Sequence, residues 1–139
     1  MSRRQARETA LQALFQLDLN HGSEDEAELY ETLAVDTAIG ECDKISASDR
    51  EYVLSTVHGT RLHMEEIDEQ ISKHAKGWKL SRMGAVDRNI MRLATYEMRF
   101  GELQTEPKIA VNEAVELAKK YGTDDSSRFV NGILNAMMK

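Results

Sequence analysis

The stretch MGAVDRNIMRLATYEMRF, residues 83–100, decides the fold. Val86, Ile90, Leu93 and Phe100 fall on one side of a helix, and Met91, Ala94 and Met98 widen that side over most of the circumference. A helix lying on a surface has a narrower apolar stripe, so this one is expected at the centre of a helical bundle. Its polar strip is thin and basic, made of Arg88, Arg92, Thr95 and Arg99. Glu97 falls on the apolar arc instead. A carboxylate buried there must find hydrogen-bond donors or a cation. We read it as structural, pinning helix ends or an arginine within the core. As a general base it would need a second catalytic group, and none is visible.

Outward from this helix the chain keeps a helical period. Towards the C-terminus, Gly101 ends the central helix, and Pro107 stands near the first position of a helix running to Tyr121 and stopping at Gly122. Thr123 or Asp124 is expected to cap a last helix over about 125–138. Towards the N-terminus, Ser48 or Asp49 is expected to cap a long segment reaching His74, which Gly59 bends or divides. Gly77 closes the connection that follows it. The first helix spans about 3–19, with Ala6, Ala10, Ala13, Leu14 and Leu17 on one apolar arc and Leu11, Phe15 and Leu19 on a second, so it is expected to be wedged between neighbours on both. A second helix over about 24–37, with Ser23 and Glu26 as a capping box, turns Ala27, Tyr30, Leu33 and Ala34 inward, with Val35 beside them. Between it and the long segment lies a loop, about 40–48. We find no repeat and no strand. The fold class is therefore all-α: six or seven helices in a single domain, 1–139, with sub-bundles of about 1–76 and 77–139.

Composition agrees. The chain has 139 residues, 41% of them hydrophobic, and one proline, so it has the means for a core and the make-up of a helix former. The single cysteine, Cys42, excludes an internal disulfide and fits a reducing cytoplasm. No apolar run is long enough to span a membrane, and no signal peptide is evident. Metal and nucleotide motifs are missing, and His21, His58, His63 and His74 read as surface or edge residues.

Charge is segregated. Net charge is -6, and residues 21–43 carry acids with no Lys or Arg, whereas residues 76–99 are mainly basic. The first helix opens with Arg3, Arg4 and Arg7, although a helix N-terminus favours negative charge. Bases set against the local field point to an anionic partner, and a nucleic-acid backbone fits. A basic tip that simply floats in solvent is the competing reading.

The motifs narrow the choice. Ala6-Arg7-Glu8, Ala10-Leu-Gln-Ala-Leu-Phe15, Tyr96-Glu97, Ala110-Val-Asn-Glu-Ala114 through Gly122, Asp125-Ser126 and Arg128-Phe-Val-Asn-Gly132 occur in an order that resembles the NusB family of bacterial transcription antitermination factors. The resemblance implies an all-helical protein with no catalysis and no cofactor. It implies binding to single-stranded boxA RNA of ribosomal RNA operon transcripts, together with a NusE-type ribosomal protein, in the RNA polymerase antitermination complex. It places RNA-binding residues at Arg3, Arg4, Arg7, Phe15, Tyr121, Asp125 and Phe129. Gln5 replaces a basic residue of some members, and Phe15 replaces a tyrosine. Rings at Tyr121 and Phe129, flanking the turn at Gly122, would stack bases or else anchor the core. Gly132 is expected to let two helices approach, and Asn112 and Asn131 to pin helices. A homodimer covering the arginine surface stays open. So do two other roles: the RNA-binding module of a ribosomal RNA methyltransferase, and a purely protein-binding helical adaptor.

Overall fold

The computed structural model describes residues 1–40, 45–102 and 104–138; Cys42 and part of the expected loop at 40–48 lie outside them. Among the described residues all regular structure is helical: α1 (Arg3–Leu19), α2 (Ala27–Ile39), α3 (Ala47–Leu62), α4 (Met64–His74), α5 (Ala85–Thr95), α6 (Pro107–Tyr121) and α7 (Ser126–Met138). Two compact units result, Met1–Gly59 and Thr60–Lys139, so the division falls inside α3. The connection near residue 76, where the sequence pattern suggests a boundary, lies within the second unit.

In the first unit, α1 packs on α2, and Ala6, Ala10, Ala13, Leu14 and Leu17 of α1 are all buried. Its start is held by a reciprocal cap. Ser2 Oγ accepts from the Gln5 N–H at 3.1 Å, and Gln5 Oε1 accepts from the Ser2 N–H at 2.8 Å. Gln5 thus serves the cap. The expected box at Ser23 does not form: Ser23 Oγ donates to the Glu26 side chain, Oε1 at 2.9 Å, rather than accepting from a backbone N–H, over a short 3-10 turn, Glu24–Glu26, that precedes α2. The second arc of α1 is corrected, because Phe15 and Leu19 are exposed and only Leu11 is buried. Leu33 is likewise exposed beside Leu29, while Ala34 and Val35 carry the burial of α2. In the first unit's part of α3, Val53 and Val57 are buried. Ser46 caps that helix, its Oγ accepting from the Asp49 N–H at 3.1 Å, two residues before the expected position.

In the second unit, α5 packs against α4, α6 and α7, which is why it is apolar nearly all round. Ile90, Met91, Leu93, Val130, Leu134 and Met137 are all but sealed from solvent. Each such side chain is worth about 1.5–3 kcal/mol of burial. The expected long helix divides at His63 rather than at Gly59. The His63 ring stacks on Phe100 with centroids 4.9 Å apart, a tertiary contact that local periodicity does not report. After Thr95 the central helix widens into a π-helical turn, Tyr96–Phe100, and Glu97 within it is buried, as its place on the apolar arc requires.

The basic strip of α5 and the π-helical turn after it is tied to the fold, although Arg99 itself is exposed. Arg92 is buried, with Nε 2.8 Å from Asp68 Oδ1 and Nη2 2.9 Å from Asp68 Oδ2. The Thr95 hydroxyl donates to the Met91 carbonyl at 2.7 Å, and Arg99 Nη2 donates to the Met137 carbonyl at 2.6 Å. Arg88 Nη1 donates to the carbonyls of Leu80 and Met83 at 3.3 and 3.2 Å. These cations staple α5 to α4, to the end of α7 and to the loop before it.

The α6–α7 turn is tight. A Cβ on Gly122 would overlap Ser126 Oγ and come within 2.8 Å of the Ala118 carbonyl oxygen. Ser126 is buried and accepts from the Thr123 N–H at 2.8 Å. Gly132, by contrast, is exposed, and a Cβ there would meet nothing, so it does not serve helix approach. Asn112 is exposed as well, and Asn131 bonds Asn135 on its own helix at 3.0 Å; neither pins a second helix.

Candidate nucleic-acid interface

The expected RNA-binding residues fall into two groups, one in each unit. Arg3, Arg4, Arg7 and Phe15 lie on α1; Tyr121, Asp125 and Phe129 surround the α6–α7 turn.

The three arginines are not equivalent. The cap orients the first turn of α1, which contains no acidic residue. Arg4 is exposed there. Arg3 is exposed too, with its guanidinium 3.8 Å from the centroid of the Tyr52 ring, a cation–π contact that sets its direction. Asp49 lies near this end of the helix. The hydrogen bond it accepts from the Met1 amino group holds its carboxyl below the usual range, and Arg3 adds to that effect. Arg7 is only 8% exposed and belongs to the interior of its helix face. Phe15, two turns further on, keeps 38% of its surface in solvent, a ring offered rather than buried.

At the other group the helix start at Ser126 places Asp125 in solvent, with its carbonyl accepting from the Phe129 N–H at 3.0 Å. Phe129 and Tyr121 are half-buried. The ring that Phe129 meets is Trp78, edge to face at 5.3 Å and 72°. Tyr121 carries Lys120 Nζ 5.3 Å from its centroid. Trp78 is absent from the expected set. The signal for it was present: residues 70–86 contain Lys73, Lys76, Lys79 and Arg82 and no Asp or Glu, with the chain's one tryptophan in their midst.

Each histidine has a local role. His58 Nδ1 is 2.8 Å from the buried Glu31 carboxylate, His74 Nδ1 is 2.9 Å from the Gln70 carbonyl, and His21 Nδ1 is 2.8 Å from the Gly22 carbonyl. Among the described residues no group of His, Cys, Asp and Glu is placed to hold a metal, and no helix is long and apolar enough to cross a membrane.

The described residues are those of an all-α protein, with arginines at one helix start and aromatic rings at another. The NusB family profile matches residues 4–139, and the chain belongs to that family. It is 46% identical over 138 residues to the transcription antitermination protein NusB of Desulforamulus reducens, covering 99% of this chain and 90% of that one. Its structure is similar to T. maritima NusB, with a TM-score of 0.84 at 33% identity, covering 99% of this chain and 90% of the other. It is also similar to a chain in a crystal structure of antitermination factors NusB and NusE with double-stranded RNA, with a TM-score of 0.79 at 32% identity, covering 97% and 94%. The chain is therefore a transcription antitermination factor of the NusB type and not an enzyme.

Proposed function

We propose that this protein binds single-stranded boxA-type RNA in ribosomal RNA operon transcripts, together with a NusE-type ribosomal protein, and so acts within the RNA polymerase antitermination complex. The observation that carries the reading is the start of α1. Arg3 and Arg4 are displayed there by a capping box, with no acid in the first turn, on a chain of net charge -6. Guanidinium groups supply phosphate contacts, which position a strand without reading its sequence. Selectivity for unpaired RNA comes from splayed bases and 2′-hydroxyls. Phe129, Tyr121 and Phe15 offer rings to such bases, and the exposed Asp125 carboxylate accepts hydrogen bonds from a base edge or a 2′-hydroxyl. Arg7 supports this group from within the helix face. The similar structure that holds NusE and RNA supports both partners.

The test is fluorescence anisotropy with a labelled boxA-like single strand, across a salt series, with and without the NusE-type protein. Affinity that falls steeply with salt and rises with the partner supports the reading. Salt-independent or absent binding favours the purely protein-binding adaptor. The name of the D. reducens relative, a transcription antitermination protein, favours the antitermination role over the methyltransferase-module reading.

A further inference from the structure

Trp78 is the large aromatic side chain that the fold least explains. It is 57% exposed, although a tryptophan has more apolar surface to bury than any other residue. It is nonetheless held. Its backbone N–H donates to the Ala75 carbonyl at 3.0 Å, closing a turn in which Gly77 sits at φ +80, a backbone that side-chain-bearing residues seldom adopt. On the far side, Arg88 ties the Leu80 and Met83 carbonyls down. The indole meets Phe129 edge to face, so two rings stand nearly at right angles at one corner of the second unit. Lys76 and Lys79, both exposed, flank Trp78 within the acid-free stretch 70–86.

We propose that Trp78 is a base-stacking residue for single-stranded RNA. An unstacked nucleobase lies on the exposed indole beside Phe129, and Lys76 and Lys79 contact the adjoining phosphates. The inference rests on the RNA-binding reading above and adds a contact to it. Charge selects this occupant. Bases have π faces and carry an anionic backbone, which suits an aromatic ring set between lysines. A ring that rests on Phe129, on a backbone fixed by its turn, also loses less freedom on binding.

Trp78 is the only tryptophan, so its emission reports on this site without any variant. Titration with a boxA-like single strand should quench Trp78 emission with the midpoint seen by anisotropy of the labelled RNA. Trp78→Ala should weaken RNA binding roughly 5- to 150-fold with the salt slope unchanged, and Trp78→Phe should keep most of the affinity. RNA binding by anisotropy with Trp78 emission unmoved overturns the proposal and leaves the RNA-binding reading intact. A folded Trp78→Ala variant with unchanged RNA affinity does the same, and one that fails only to bind the partner protein assigns the surface to protein. Wild-type protein that binds no RNA at low salt refutes the RNA-binding reading itself.

Discussion

Replacing Arg3 and Arg4 together by alanine isolates the phosphate grip from the fold. Each phosphate contact on a single strand contributes about 0.7 to the slope of log affinity against log salt, so losing two should flatten the slope by about 1.4. Over a fourfold rise in salt, from about 50 to about 200 mM, the wild type should then lose about sevenfold more affinity than the variant. Stability should scarcely move. Arg3 gives up its contact with Tyr52, at 3.8 Å from the ring centroid, worth about 0.5–1 kcal/mol at an exposed site. Removing two cations from a helix start returns a similar amount, about 0.3–1 kcal/mol each at low ionic strength. Arg7 is left in place because it is buried, and its loss would mix a folding defect into the binding measurement. The assay is RNA anisotropy across the salt series, with thermal melting of the same samples. A double variant that melts like the wild type and keeps its salt slope would refute the grip, and the basic tip would then be no more than solvated charge.

Three further outcomes test how the fold supports the surface. Asp68→Asn leaves Arg92 without its carboxylate, and should cost about 2–3 kcal/mol in chemical denaturation while RNA affinity below the melting range stays unchanged. Glu97→Ala removes a buried carboxylate and should lower stability by about 1–3 kcal/mol; a large affinity loss with unchanged melting would move Glu97 into the binding site. Gly122→Ala forces a Cβ against Ser126 and the Ala118 carbonyl, and should cost about 1–3 kcal/mol by overpacking. Unchanged melting would mean that the α6–α7 turn is looser than its geometry.

What could be read from the sequence follows from how far each determinant reaches along the chain. The centrality of α5 was legible because burial on several sides requires apolar residues on several sides, and that is a local pattern. Pro107 at the start of α6 was legible for the same reason, since a proline's tolerance depends only on its own turn. Leu33 and Phe15 were misread because periodicity says which residues share a face, and says nothing of whether a neighbouring helix covers it. Arginine is the harder case. Arg92 and Arg99 look like ligand-binding charge in a helical wheel, yet their partners, Asp68 and the Met137 carbonyl, stand 24 and 38 residues away. A cation binds a ligand only where the folded chain has not already supplied it with acceptors. By that criterion the basic residues of α5 belong to the scaffold. Arg3, exposed with its guanidinium over the Tyr52 ring, and Lys76 and Lys79, exposed in a stretch without acids, belong to the surface. Trp78 follows the same logic in apolar form: a ring this large, fixed in place and still more than half in water, is held ready for a partner that the folded chain does not provide.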